Sequence, residues 1–321
     1  SGAATNPMCR SCCCGKANCH GPWRSIETVL LKGYGLSLLY PKTEMREYGD
    51  IDLYVGEENY DRTVALVRRT YPQAYWFSEE HISHHFLMQL DENYDLVAEF
   101  HNMAMDLPGM KRAEQAFTVF TLRELQSVRT ISLDGIDIAV PSVRFNAVYV
   151  FIHAWHHFSG NGVGVRQLAD WMLCLHELAQ TLSAEEKQAY AHDLERLLRR
   201  MSMLQIWQTF GCVIVRHLGL PKEEFLLYNA SQERRGERLY QQLLHDGHSY
   251  RLANKEKGAT IHSFPFHRPE KNRIAQVLFT LVRIPYDTFQ LAKIFPHLAI
   301  RQFFGKIRLG VLKVLKKTAS V

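Results

Sequence analysis

The period of the apolar residues changes once along this chain, near residue 140, and that change sets the class of fold open to it. From Ser142 onward they recur every three to four positions through "SVRFNAVYVFIHAWHHF", "GVRQLADWMLCLHELAQ" and "EEKQAYAHDLERLLRRM", the spacing of helices with one buried face. Ser183-x-x-Glu186 is a capping box opening the third of these. "MLQIWQTFGCVIVRHLG" ends at a glycine ahead of Pro221, a helix stop. Before residue 140 the apolar residues come instead as short runs bounded by turn residues. "TVLLKG" (28–33), "DIDLYV" (50–55), "HHFLMQL" (84–90) and "YDLVAEFHNM" (94–103) predict strands. "YGLSLLYP" predicts a short helix stopped by Pro41, and "ENYDRTVALVRRTYP" a longer one. The polar turn "DEN" makes the last two strands a hairpin, and "ISLDGIDIAVP" predicts another before Pro141. The expected fold is α+β, a small mixed β-sheet domain (26–140) followed by an α-helical domain (141–250). A Cys-rich leader (1–25) precedes them, and a linker or loop (251–272) and basic amphipathic helices (273–321) follow.

At 321 residues and 46% hydrophobic the chain can bury a substantial core. No stretch reaches the roughly 18 uninterrupted apolar residues of a membrane span, and the first 30 residues hold no apolar signal core. The expected address is the cytoplasm. Charge is unevenly placed. Residues 271–321 carry ten Lys or Arg against one acid, Asp287, a net +9 that leaves −4 for the first 270 residues of a chain whose total is +5. A basic tail on an acidic body calls for an anionic partner, lipid surface or nucleic acid. "HLAIRQFFGKIRLGVLKVLKK" places Ile300, Phe303, Phe304, Ile307, Val311, Leu312 and Leu315 among cations. Two readings stand for it: a basic amphipathic helix peripheral to a membrane over 297–317, or a terminal helix packed on the body with its lysines reaching water.

Cys9, Cys12, Cys13, Cys14 and Cys19 crowd into "CRSCCCGKANCH". Cys9-x-x-Cys12 is half of a zinc-ribbon spacing with no second pair at a useful distance, so a disordered segment with reactive thiols fits it better than a zinc site. Cys174 and Cys212 fall in helical patterns and read as small core residues.

The chemistry centres on "EMREYGDIDLYV". Residues two apart on a strand share a face, so Asp50 and Asp52 project together while Ile51 and Leu53 fill the other side. Two carboxylates that close repel unless something positive lies between them. A divalent ion is the natural occupant, and carboxylate oxygens suit Mg²⁺; two solvated aspartates at a strand end are the plain alternative. On "YDLVAEFH", Asp95, Val97, Glu99 and His101 share one face, offering a third carboxylate. Three acids on neighbouring strands, beside the Gly33 turn, form the pattern of a two-metal phosphoryl-transfer centre. His153, His156 and His157 stand at i, i+3 and i+4 but lack the Glu of a zincin pattern, which argues against a metal there.

These residues carry a resemblance. Leu31-Lys32-Gly33, Tyr40-Pro41, Arg46 to Leu53, Glu99-x-His101, "HAWHHF" and Gly164 to Asp170 resemble the bacterial family labelled uncharacterised nucleotidyltransferase, within the superfamily of DNA polymerase β. The resemblance covers roughly residues 28–175. It implies that Asp50, Asp52 and Glu99 bind the metal ions, Mg²⁺ or Mn²⁺, and that Glu99 helps deprotonate an acceptor hydroxyl. A nucleoside triphosphate would be the donor, held by Lys32, the Gly33 backbone, Arg46, Arg166 and Asp170, with His101 in support. On residue type alone Lys32 reads equally as a solvated cation, Arg46 as a salt bridge holding its loop, and Arg166 and Asp170 as an intrahelical ion pair. Tyr34 stands where the superfamily has Gly or Ser, and the sequence shows a Cys-rich segment ahead of the Lys-Gly strand, where members of the family usually have a helical region.

The implied reaction transfers a nucleoside monophosphate to a hydroxyl of a small molecule, sugar, lipid-linked group or protein. An RNA 3′ end is a weaker acceptor reading, because the body is acidic and shows no interleaved basic and aromatic surface. The alternative of another class is a catalytically silent binding module that uses the fold and its basic helix to sit on membrane or nucleic acid.

Overall fold

The computed structural model describes residues 26–46, 50–72, 76–77, 85–91, 96–107, 109–133, 135–159, 164–254, 273–305 and 307. The Cys-rich segment, Asp95, the turn between the last two strands of the sheet, most of the expected linker and the end of the basic tail lie outside the described residues. Two compact units make up the chain, residues 1–106 with 118–149 and residues 107–117 with 150–321.

In the first unit five strands form a mixed sheet: β1 (Val29–Leu30), β2 (Ile51–Tyr54), β3 (Trp76–Phe77), β4 (His85–Asp91) and β5 (Leu96–His101), in the order β1-β2-β5-β4-β3. β2 and β5 are parallel and the other pairs antiparallel. The single-turn α1 (Tyr34–Ser37) follows β1, and α2 (Glu57–Thr70) follows β2. Alternation along the strands sorts the sheet into two chemically different faces. Phe86 and Met88 of β4 and Ala98 and Phe100 of β5 bury against Val67 of α2, with the Phe86 and Phe100 rings stacked at 4.6 Å. The intervening residues, His85 on β4, Glu99 and His101 on β5 and Asp52 on β2, belong to the opposite face. A second hairpin, β6 (Arg129–Leu133) with β7 (Ile136–Val140), adds Ile138 and Val140 to a core with Leu30. α3 (Lys111–Glu124) lies between β5 and β6 in sequence, and the division between units falls inside α3 and inside α4 (Val143–Ser159).

The second unit is helical: α5 (Val165–Thr181), α6 (Ala184–Arg200), α7 (Leu204–Val213), α8 (Glu233–Asn254) and α9 (Arg273–Ala292), with helical backbone again over residues 296–305. The Ser183 hydroxyl accepts from the Glu186 amide while the Glu186 carboxylate accepts from the Ser183 amide, closing the capping box. α7 passes into one π-turn (Ile214–Leu218) and stops at Gly219, whose φ of 88° is the left-handed geometry of a helix end. α8 runs four residues into the stretch expected as a linker, because Arg251, Leu252 and Ala253 are good helix formers. The core is aromatic: Trp171, Trp207, Phe151 and Phe210 are fully buried, as are Cys174 and Cys212. None of the described helices is long and apolar enough to cross a membrane.

Candidate active site

The parallel pairing of β2 with β5 sets Asp52 directly beside Glu99, and Leu53 beside Phe100. Residues in register share a face, so a strand of the first acid pair and the strand of the third acid present carboxylates side by side. Asp52 is 1% exposed, and charge of that kind is stable only where cations compensate it. Two do. Lys32 Nζ stands 3.1 Å from Asp52 Oδ1, and His101 Nε2 lies 3.1 Å from the same oxygen. His101 Nε2 also lies 3.3 Å from Glu99 Oε2, so one imidazole joins both acids. Burial disfavours the imidazolium, but the hydrogen bonds to Asp52 and Glu99 outweigh it and hold His101 above its ordinary value. Glu99 keeps 18% of its side chain accessible, which leaves it a route to a second molecule.

Lys32 reaches Asp52 because β1 pairs antiparallel with β2, and the Leu31 amide donates to the Asp52 carbonyl at 2.9 Å. The chain then turns at Gly33, at φ 81° and ψ −123°, a region that only glycine enters without strain. Arg46 is buried, and its Nη1 donates to the Gly33 carbonyl at 3.1 Å, tying the loop ahead of β2 to that turn. Asp50 is exposed, immediately ahead of β2, and its carbonyl passes 3.5 Å from where a Cβ on Gly33 would sit.

Thus Lys32, Asp52, Glu99 and His101 meet as one cluster, with Gly33, Arg46 and Asp50 around the adjoining turn. Arg166 and Asp170 belong to α5 of the second unit, the first exposed and the second buried. Two members are additional to those read from the sequence. His85 on β4 is the cross-strand partner of His101, and its Nε2 lies 4.0 Å from Glu99 Oε2. Tyr149 on α4 is fully buried, and burial, aided by the charges of Asp52 and Glu99, holds its phenol well above the usual range. Strand register is the signal that would have found His85. For Tyr149 the signal is a hydroxyl set inside an otherwise apolar helix face.

Asp50, Asp52 and Glu99 each carry carboxylate oxygens, the donor type of a hard divalent cation, but among the described residues the group whose donor atoms lie within 4.8 Å of one another is His85, Glu99 and His101. Lys32 supplies positive charge facing Asp52, and His101 shares the same carboxylate oxygen. The arrangement is a buried Asp52 beside a partly exposed Glu99, with Lys32 at its edge and a glycine turn next to it.

The family described as "Uncharacterised nucleotidyltransferase" matches residues 24–207, more than half of the chain. No curated protein matches it. Among solved structures, an antigenic nucleotidyltransferase-like protein from Paracoccidioides brasiliensis matches with 15% identity, over 56% of this chain and 86% of its own, at a TM-score of 0.34.

Proposed function

Because the chain belongs to the uncharacterised nucleotidyltransferase family, we propose that it transfers a nucleoside monophosphate from a nucleoside triphosphate to a hydroxyl on an acceptor other than RNA. The observation that supports this most is the pairing of Asp52 with Glu99 across β2 and β5, with Lys32 and His101 bonded to the acids. Asp50, Asp52 and Glu99 would hold Mg²⁺ or Mn²⁺, which supplies charge neutralisation to the triphosphate when bound. Glu99, the more accessible of the β2–β5 acid pair, takes the proton of the acceptor hydroxyl. The acceptor oxygen then bonds to the α-phosphorus, the α–β anhydride bond breaks, and pyrophosphate leaves. Lys32 offsets negative charge on the phosphates, and the Gly33 backbone approaches them where a side chain would intrude. Arg46 keeps the turn in shape through its bond to the Gly33 carbonyl. His101 orients Glu99 against Asp52. Arg166 and Asp170 enter this reading as nucleotide-binding residues through the sequence resemblance alone.

The reading is tested by incubating each α-labelled nucleoside triphosphate with Mg²⁺, the protein and cell extract. Wild type tags a cellular acceptor, Asp50→Asn tags none, and added RNA leaves the labelling unchanged. Absence of a tag with every nucleotide would instead support a silent module.

The protein acts, in this reading, in the cytoplasm and at a membrane surface. Phe289, Ile300 and Phe304 are more than half exposed on a tail of net positive charge, a combination that binds anionic lipid. The full chain is expected to co-sediment with anionic vesicles, and Ile300→Glu with Phe304→Glu to stay in the supernatant. Equal sedimentation of both would remove the membrane from the reading.

A further inference from the structure

The face of the sheet that carries Glu99 also carries two imidazoles, and their placement follows from register. β4 and β5 run antiparallel with His85 opposite His101 and Leu87 opposite Glu99. Cross-strand partners project to the same side, and Glu99, two residues from His101, joins them there. The two rings stand 4.9 Å apart between centroids. Glu99 Oε2 is 3.3 Å from His101 Nε2 and 4.0 Å from His85 Nε2, and one donor atom from each residue falls within 4.8 Å of the other two. Metal bonds of about 2.0–2.2 Å place tetrahedral ligand atoms roughly 3.3–3.6 Å apart. The 3.3 Å separation of Glu99 and His101 matches that spacing, and His85 at 4.0 Å from Glu99 stands slightly outside it.

We propose that His85, Glu99 and His101 form a binding site for a borderline divalent transition ion of the Zn²⁺ type, distinct in donor chemistry from the all-carboxylate set and sharing only Glu99 with it. Two nitrogens and one oxygen are a poor set for Mg²⁺, which takes oxygen ligands, and a good one for Zn²⁺ or Co²⁺. All three ligands stand on adjacent strands rather than on a loop, so the cluster is held by the sheet itself. Three protein ligands leave a further position open to water or a small anion. The ion would take the His101 Nε2 position that otherwise bridges the two acids, while Lys32, 3.1 Å from Asp52, keeps that carboxylate neutralised. The site stands whether or not the chain transfers nucleotides.

The probe is Co²⁺ alone, added to metal-free full-length chain in which the competing thiols are removed by Cys9→Ser, Cys12→Ser, Cys13→Ser, Cys14→Ser and Cys19→Ser. Visible absorption and equilibrium dialysis are expected to report one Co²⁺ per chain, displaced by Zn²⁺ and not by excess Mg²⁺. His85→Gln lowers the affinity at least roughly tenfold. His85→Cys retains the ion and adds a near-ultraviolet thiolate-to-cobalt band, a gain that a merely unfolded variant cannot give. His153→Gln, which removes a histidine pair elsewhere, and Asp50→Asn both leave Co²⁺ uptake unchanged. Undiminished uptake in His85→Gln, no thiolate band in His85→Cys, or loss of uptake in Asp50→Asn overturns the proposal. Loss in Asp50→Asn would assign the ion to the carboxylate set, whereas failure of nucleotide transfer with Co²⁺ uptake intact would overturn only the proposed reaction.

Discussion

Asp52→Asn is expected to reduce Mg²⁺-dependent pyrophosphate release by at least about a thousandfold, as loss of a group that acts only on developing phosphate charge does. The substitution keeps the side chain's shape and removes its charge. Asp52 is 1% exposed and holds both Lys32 and His101 at 3.1 Å, so its neutralisation leaves two cations facing each other with one acid gone. Breaking a buried ion pair from one side costs about 3–5 kcal/mol. Part of this is relieved when His101 releases its proton, and that gives the loss a pH dependence of known sign. His101 is held above its unfolded value by its bonds to Asp52 and Glu99, against burial. A histidine raised in this way contributes stability that is complete below its unfolded pKa, about 6.5, and fades as pH rises through the folded value. Denaturant unfolding should therefore show the greatest cost of Asp52→Asn below about pH 6.5 and a smaller one above. A cost that grew with pH would exclude the charged His101–Asp52 pair.

Trp207→Ala is the largest expected stability effect in the helical unit. The indole is fully buried on α7 and meets Phe151 and Trp171 edge-on, each at 5.0 Å, and Phe225 at 5.7 Å. Its Nε1 donates to the Leu226 carbonyl at 3.0 Å. Truncation removes the ring at the centre of this cluster and leaves a carbonyl without its donor, at about 3–5 kcal/mol. Calorimetry should place the midpoint roughly 6–20 °C lower. Trp207→Phe retains most of the ring packing and should cost less than half as much. Equal losses for the two would mean that the hydrogen bond, and not the ring, holds the cluster.

The sequence made parts of this molecule legible because local rules sufficed there. The capping box at Ser183, the helix stop at Gly219, and the strand pairs β4–β5 and β6–β7 each depend on neighbours within a few residues. α3 escaped periodicity because Val119 and Leu122 are apolar yet more than half exposed, which blurs the stripe made by Ala113, Ala116, Phe117 and Phe120. β3, two residues long, is too short to show any period. In the site, Asp52, Glu99 and His101 were legible from alternation along single strands. His85 was not, because its place beside Glu99 follows from the register of β4 against β5. The Arg46 contact is equally silent in sequence: its target is a backbone carbonyl thirteen residues earlier, and any residue at that position supplies one.

The reaction type is decided most directly by where the label of a nucleoside triphosphate goes. With Mg²⁺, extract and wild-type protein, the α-phosphorus should enter the acceptor while the γ-phosphorus is released in pyrophosphate, and Asp50→Asn should abolish both. Entry of γ-label into the acceptor, with α-label retained in the diphosphate, would contradict nucleotidyl transfer.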